Sequence, residues 1–327
     1  MGSTWGNTIK ISIFGESHGT GIGVVIDGFP SGVMYDEAFV LREMERRAPG
    51  RNKQSTARKE PDRPEIQSGI YNGKTTGTPI CAVIRNTNQR SNDYAELAAQ
   101  PRPGHADYTG MLRYDSCNDP RGGGHFSARL TVALTAAGVV AKKILPPGVT
   151  FDTRVAEIGG CTDPEGFDEV LRAAAAEQDS VGGIIECRVQ GVPLGLGQPF
   201  FDSAESMIAH LLFSVPAVKG VEFGSGFAGA RMRGSENNDP FLDVEGTTAT
   251  NNAGGINGGL TNGNELVVRA AVKPTPSIGR EQMTYNLATN KVEPLMIRGR
   301  HDVCVALRGA VVVEAAVAIA LANFIRH

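Results

Sequence analysis

Four of the six histidines in the sequence lie in short motifs that contain glycine: GESHG at 15–19, RPGHAD at 102–107, RGGGH at 121–125 and GRHD at 299–302. Histidine is the side chain that most readily gains and loses a proton near neutral pH. Glycine lets the backbone approach a ligand closely or adopt a positive φ, which a histidine used only for packing does not require. The motifs therefore predict an enzyme site in which histidines transfer protons.

The triglycine in the third motif also predicts an anion site. It leads into segment 127–145, which is expected to form a helix with Ser127 as its N-cap and the Pro146-Pro147-Gly148 run as its end. The free N–H groups at a helix N-terminus bind phosphate well. A phosphate is therefore expected at residues 122–128.

A basic segment lies nearer the N-terminus. Between Arg42 and Arg63, eight basic residues stand against four acidic ones, in a chain whose net charge is −3. Such a local excess of positive charge is suited to attracting a small polyanion, although a solvated helix face is the alternative. The net charge itself gives no reason to expect a nucleic-acid partner.

Three other kinds of site have matching residues in the wrong context. GESHG also fits the G-x-S-x-G elbow of esterases, but too few residues precede Ser17 to form the strands that an elbow follows. GSGFAG at 224–229 fits the dinucleotide fingerprint, but the residues up to Pro240 break the helix that this fingerprint requires. The His, Asp and Glu residues of the four motifs show no helical metal-ligand spacing, so no metal is predicted, although ligands from separate loops stay an alternative.

The hydrophobic pattern predicts strands and helices in an irregular order. Strands are expected at 9–14, 23–26, 79–84, 150–158, 182–190, 220–223 and 266–272, and further helices at 36–47, 165–178 and 203–213. This order favours antiparallel sheets covered by helices over a repeated βαβ unit. Segment 85–125 shows no periodicity, and a compact domain rarely keeps so long a loop without a function.

Composition bounds the class of protein. Hydrophobic residues make up 41% and charged residues 20%, without a linker, so residues 1–327 are predicted to form one soluble domain. The longest apolar stretch, 310–324, is too short for a bilayer and contains Glu314 and Asn323, so a buried or interface helix is expected. The five cysteines lack a CxxC pair and are expected to be reduced and mostly buried, with Cys304 the one candidate for a functional thiol. No signal peptide is visible, which predicts a cytoplasmic protein.

Seven ordered motifs together resemble those of the chorismate synthase family over almost the full length. They are GNTIKISIFGESHG, RPGHADYTG, DPRGGGHFSAR, VKGVEFGSGF, NNAGGINGG, VKPTPSI and RGRHDVC. The resemblance implies a carbon–oxygen lyase at the last step of the shikimate pathway. In that step 5-enolpyruvylshikimate 3-phosphate loses phosphate and a ring proton in a 1,4-anti elimination, giving chorismate. It also implies a requirement for reduced FMN, although the reaction has no net redox change.

The resemblance implies roles for three side chains. His18 matches the family histidine thought to protonate or stabilise the reduced flavin, and His105 matches the one thought to protonate the departing phosphate. Asp302 matches the carboxylate thought to assist removal of the ring proton through flavin N5. Structural support of a tight loop is the alternative role for each.

The resemblance also implies contacts with the ligands. The matching flavin positions are His125, Phe126, Ser127, Pro216, Ala217, Gly258, Lys273, Pro274, Thr275, Pro276, Ser277 and Arg300. The matching substrate or NADP positions are Arg46, Arg47, Lys53 and Arg129. The chain departs from the best-known members, which read GGGRSSARET where it reads GGGHFSARLT, and it has lysine at 53 where many have arginine, which loses bidentate geometry there. These departures affect individual contacts, not the reaction.

The resemblance implies an α+β fold, a β-α-β sandwich in which two antiparallel sheets pack in the core with helices outside. It also implies a homotetramer, without nucleic-acid or membrane partners. The chain lacks the insertions of members that reduce their own flavin, so an external reductant such as a flavin reductase is expected, and NADPH enters only as a reductant. A different flavin or anion-binding enzyme and a non-catalytic FMN-binding protein are the alternatives.

Overall fold

The structure is a computed structural model that describes residues 2–48, 62–87, 99–297 and 301–325. Its strands are β1 Thr4–Trp5, β2 Lys10–Gly15, β3 Gly21–Asp27, β4 Glu65–Ser68, β5 Ile70–Tyr71, β6 Lys74–Thr75, β7 Ile80–Arg85, β8 Thr150–Ile158, β9 Gly183–Gln190, β10 Val218–Phe223, β11 Ile256–Asn257, β12 Leu260–Thr261, β13 Leu266–Val272, β14 Gln282–Asn286 and β15 Lys291–Leu295. Its α-helices are α1 Glu37–Arg47, α2 Asp107–Arg113, α3 Thr131–Ala141, α4 Phe167–Ala176, α5 Ala204–Ser214, α6 Gly234–Asn237 and α7 Ala306–Phe324.

Two antiparallel sheets form the frame of the molecule. The first has the strand order β1-β2-β3-β7-β4 and the second the order β10-β13-β9-β8. In β9, the alternate residues Ile185, Cys187 and Val189 are fully buried, because side chains along a strand point to opposite faces. Each sheet therefore has one apolar face that must be covered.

Helices α3 and α7 cover these faces from between the sheets. Helix α3 packs on β2, β3 and β7, α7 packs on β8 and β9, and the two helices pack on each other. Every residue of α3 is buried, and an 18-residue apolar window of α7 is 72% buried. A helix that is apolar on all sides is stable only in a core. The α+β class, the β-α-β sandwich and the buried helix expected at 310–324 are confirmed, but helices α3 and α7 lie between the sheets, whereas the family resemblance implied helices outside.

The two central helices approach closely at Gly138. A Cβ at this position would lie 2.3 Å from the Cβ of Ala315 in α7. Protein interiors are too densely packed to absorb such a clash without moving the helices apart. Gly138 therefore sets how closely the two halves of the sandwich pack.

Most predicted elements are confirmed to within two residues at each end. The helix predicted from Ser127 begins instead as a 3₁₀ turn over Ala128–Leu130, and α3 proper follows it. Helix α2 was not predicted because Gly110 is its one buried residue, so no apolar stripe marks it. All five cysteines have free thiols, but only Cys187 and Cys304 are buried, so the expectation that most are buried was wrong.

Candidate active site

The GESHG motif forms the turn between β2 and β3. His18 and Ser17 are 5% and 2% exposed, so the histidine points into the protein. The Ser17 N–H donates to the carbonyl oxygen of Gly124 at 3.1 Å. This bond joins the first histidine motif to the third.

The triglycine loop holds two histidines side by side. Gly122, Gly123 and Gly124 have φ values of 59°, 84° and 50°, which residues with a Cβ rarely adopt. A Cβ at Gly122 would lie 2.1 Å from His18 Cε1, and one at Gly123 would lie 2.7 Å from His105 Cε1. The imidazoles of His18 and His105 therefore contact adjacent residues of one loop.

His105 belongs to a charged cluster. Its Nδ1 lies 2.6 Å from Oδ1 of Asp107, and Arg102 donates to both carboxylate oxygens of Asp107 at 2.7 Å. Burial raises the pKa of Asp107, but hydrogen bonds from Arg102 and His105 outweigh it and hold that pKa far below its usual value. Arg102 also donates to Ser277 Oγ at 3.0 Å, which ties the cluster to the VKPTPS motif.

The VKPTPS segment follows β13 and borders the same histidine. The Lys273 ammonium donates to the carbonyl oxygen of Gly104, next to His105. Pro276 lies near Gly104, and Pro274 near Gly182. The Thr275 carbonyl accepts from Ser180 Oγ at 2.7 Å, whereas no group in the described ranges bonds the buried Thr275 Oγ1.

The GRHD motif reaches the cluster through His301. Burial, and then the positive charge of Arg102, lower the pKa of His301 below its ordinary value. Its buried Nε2 has no hydrogen-bond partner among the described residues. Asp302 accepts from Arg308 Nη1 at 3.0 Å. Arg300, a predicted flavin contact, lies outside the described residues.

The residues after the triglycine take separate positions. His125 bonds the Gly15 carbonyl through Nδ1 at 2.9 Å and Ser3 Oγ through Nε2 at 2.8 Å. Ser127 Oγ accepts from the Arg129 N–H at 3.3 Å, which confirms Ser127 as an N-cap. Phe126 lines a cavity of about 210 Å³. The cavity is also lined by Gly123, Asp107, Met111 and Pro120.

Three predicted anion-binding arginines are already paired with carboxylates. Arg46 makes two bonds, of 2.7 and 2.8 Å, with Glu314. Arg47 lies 2.7 Å from Asp62, which Arg129 also contacts. Burial would raise the pKa of Asp62, but the two arginines outweigh it and lower that pKa.

This pairing compensates most of the positive charge of the basic segment where the structure describes it, whereas Arg42 lies 5.9 Å from the ring of Phe39. Arg63 likewise pairs with Glu37 at 2.8 Å. Lys53, a predicted substrate contact, lies outside the described residues. The contact of these side chains with substrate therefore stays a prediction.

The remaining predicted flavin contacts divide into two groups. Ala217 has a φ of 75°, and its carbonyl oxygen accepts from the Lys273 N–H at 2.9 Å, so the Pro216-Ala217 turn adjoins the VKPTPS segment. Gly258 lies at the exposed turn between β11 and β12. A Cβ added at this position would have no atom within 4 Å. Lys273 joins the Pro216-Ala217 turn to the loop of His105, whereas Gly258 lies outside this set of contacts.

Sequence reasoning missed Arg102, the residue that joins three motifs. The one available signal in the sequence was its place in the RPGHAD motif. In the structure Arg102 is buried, and a buried arginine requires partners such as Asp107 and Ser277. Across the described ranges, no group of three His, Cys, Asp or Glu side chains is arranged to hold a metal ion. The chemistry that these side chains can perform is proton transfer.

Comparisons with known proteins agree with this chemistry. A sequence model of the family described as chorismate synthase matches residues 9–325. The chain is 53% identical over 322 residues to a chorismate synthase from Chitinophaga pinensis, covering 98% of this chain and 96% of that protein. It is 45% identical over 349 residues to one from Methanosarcina acetivorans, covering 98% and 95%. A solved structure described as a crystal structure of chorismate synthase matches with a TM-score of 0.74 at 28% identity, covering 98% of this chain and 92% of that one. The chain belongs to the chorismate synthase family, whose members are lyases of the shikimate pathway.

Proposed function

We propose that the site around the triglycine loop performs the 1,4-anti elimination that converts 5-enolpyruvylshikimate 3-phosphate to chorismate. The observation that carries this proposal is the contact of His18 and His105 with adjacent glycines of one loop. Two proton-transferring groups are thereby held on neighbouring parts of a single site. An elimination that expels phosphate and a ring proton needs such an arrangement.

Each of three residues takes one step. His105 donates a proton to the departing phosphate, which reduces the negative charge that develops on the leaving group. His18 donates a hydrogen bond or a proton to the reduced cofactor, and Asp302 assists removal of the ring proton. The ion pair with Arg308 keeps Asp302 oriented. The arginines Arg46, Arg47 and Arg129 are proposed to contact substrate after exchanging their present partners.

The residues near the loop fit reduced FMN. The buried Thr275 Oγ1 and His301 Nε2, which have no partner among the described residues, are polar atoms that a ligand can satisfy. Lys273 supplies positive charge for a phosphate, and Ser127 is the predicted contact at the start of the helical segment. The other predicted contacts are Pro216, Ala217, Gly258, Pro274, Pro276, Ser277, His125, Phe126 and Arg300. When bound, reduced FMN supplies an electron transiently to the substrate and regains it.

An anaerobic assay with chemically reduced FMN tests the reaction. Adding 5-enolpyruvylshikimate 3-phosphate should release one phosphate for each chorismate formed. A parallel sample with oxidised FMN should show no turnover. Folded protein that binds FMN but releases no phosphate would contradict the proposal and leave a non-catalytic flavin-binding protein as the explanation.

The source of electrons requires a separate test. We propose that the chain depends on an external flavin reductase to reduce FMN. NADPH then acts only as the source of electrons for that reductase. Under anaerobic conditions, oxidised FMN and NADPH alone should therefore give no chorismate, and adding a flavin reductase should restore turnover. Turnover with NADPH alone would show that the chain reduces its own flavin.

We further propose that the chain assembles as a homotetramer. Support comes from large apolar side chains exposed near one another: Leu194, Phe200, Phe201 and Leu260. Leu260 forms an antiparallel β-bridge with Gly197, which is close in sequence to the other three residues. The ring centroids of Phe200 and Phe201 lie 6.5 Å apart. Apolar patches of this kind usually mark an interface. Light scattering should give four times the 34.6 kDa chain mass, and a monomer would contradict the proposal.

The cellular setting and domain organisation complete the proposal. One continuous hydrophobic core includes residues of both sheets and both central helices, which supports a single domain over 1–327.

The free thiols of the five cysteines agree with the reducing cytoplasm. Limited proteolysis should yield no stable fragment that corresponds to half of the chain, and fractionation should recover the chain with cytoplasmic proteins.

A further inference from the structure

We infer that Asp107, held by Arg102, is a positioning residue that fixes the tautomer of His105 and directs its Nε2 towards the triglycine loop. This inference rests on the proposed role of His105 as the acid that protonates phosphate. It adds two residues to the site that the preceding proposal does not use.

The first step is the proton on His105. Asp107 Oδ1 lies 2.6 Å from Nδ1 of the imidazole. Arg102 donates to both oxygens of Asp107, so the carboxyl is ionised and can only accept. A contact this short between Nδ1 and a carboxylate oxygen requires a proton on Nδ1, because two acceptors would repel. Arg102 Nη2 lies 3.1 Å from Nδ1 and 3.4 Å from Nε2, and one of its two protons is donated to Asp107 Oδ1. Because Asp107 Oδ1 is closer to Nδ1, at 2.6 Å, the carboxylate decides which ring nitrogen carries the proton.

The second step is the direction of Nε2. A Cβ at Gly123 would lie 2.7 Å from Cε1 and 3.0 Å from Nε2 of His105, so this edge of the ring faces the loop. The cavity beside Phe126 is lined by Gly123 and Asp107, the two residues that contact His105 from opposite edges of its ring. With Nδ1 protonated, Nε2 is the atom that gains and releases the catalytic proton.

The third step is the rigidity of Asp107. Its carboxylate also accepts from the Arg102 backbone N–H at 3.1 Å, and Arg102 is anchored on Ser277. The side chains of Arg102, His105 and Asp107 are 5%, 15% and 12% exposed. A carboxylate that orients a histidine through the nitrogen opposite the reacting one stabilises the imidazolium as it forms. Among the described residues, the titratable groups near this cluster include Lys273, at the Gly104 carbonyl, His301, within the field of Arg102, and Asp119, which lines the same cavity as Asp107.

Histidine NMR on the protein without FMN or substrate tests the tautomer directly. The ¹⁵N spectrum should show Nδ1 of His105 protonated above the pH at which the ring loses its charge, with the signals assigned by their absence in His105→Gln. An Nε2-protonated ring in the wild-type protein would overturn the inference. This result does not depend on the proposed reaction, and the tautomer itself is measured on the wild-type protein.

Kinetics of Asp107→Asn test the consequence. If the wild type turns over, the variant should lose about 10- to 10⁴-fold in kcat with KM changed less than about threefold. The basic limb of its pH–kcat profile should move to lower pH, because the protonated imidazole loses its counter-charge. The control Asp168→Asn, on the surface of α4, should match the wild type. Unchanged kcat and an unmoved basic limb in folded Asp107→Asn would overturn the positioning role, whereas an inactive wild type would overturn the proposed function instead.

Discussion

The imidazole of His18 packs on the backbone of Gly122, with Cε1 2.1 Å from the place that a Cβ on this glycine would occupy. The two residues are 104 positions apart in motifs that face each other across the site. The position of the histidine therefore depends on the absence of a side chain in the triglycine loop. A side chain at position 122 would therefore displace the His18 ring.

Gly122→Ala should impair both stability and turnover. The substitution places a Cβ on a residue with φ 59° and against the His18 ring, and such strain costs about 1–3 kcal/mol. The measurements are urea denaturation and kcat. Gly73→Ala is the matched control, because Gly73 has φ 72° but no atom near its Cβ position. The control should lose stability only; an equal loss of kcat in both variants would contradict the role of the His18 contact.

His105→Ala should reduce kcat by about 10²- to 10⁴-fold if His105 is the general acid. Stopped-flow detection of chorismate with reduced FMN measures this effect. The control is His210→Ala, since His210 is an exposed residue of α5 whose contact is with Trp5. Turnover of His105→Ala near that of the control would assign His105 to support of the loop.

Glu186 should make folding stability depend on acid pH. Burial raises its pKa, but bonds from Arg188, Arg269 and Arg154 outweigh burial and lower it to about 2, from an ordinary value of 4.5. Because the folded-state pKa is the lower one, the carboxylate stabilises the fold fully above pH 4.5, and this contribution is lost as pH falls towards 2. The difference in unfolding free energy between wild type and Glu186→Gln should therefore shrink between pH 7 and pH 3.

The comparison for this prediction is Glu281→Gln, at an exposed position. Its unfolding free energy should follow that of the wild type at both pH values. A difference for Glu186→Gln that stays constant with pH would show that its arginine contacts do not favour the ionised form.

Glu314→Ala should destabilise the core by about 3–5 kcal/mol. Glu314 is 1% exposed on α7 and pairs with Arg46 and Lys142, which its removal would leave with one carboxylate partner to share instead of two. Equilibrium denaturation measures the loss. Glu37→Ala removes the exposed pair with Arg63 and should cost no more than about 1 kcal/mol. Equal losses in the two variants would show that burial of the Glu314 cluster does not matter.

The sequence by itself determined the elements and the family. Period-two and helical patterns of apolar residues located β8, β13 and α5, because these patterns depend only on which face of an element is buried. The glycine-bearing motifs indicated histidine chemistry, because the residue types themselves limit what can occupy a left-handed turn or transfer a proton.

Only the tertiary structure decided the layer order and the partners of charged side chains. Helices α3 and α7 are mostly apolar, a pattern that marks them as buried without saying which surfaces cover them. The contacts of Arg46 with Glu314 and of Arg102 with Ser277 join segments that are far apart in the chain. The Arg102–Asp107 pair is local in sequence. Burial and distance set these interactions, and neither quantity can be read from the order of residues.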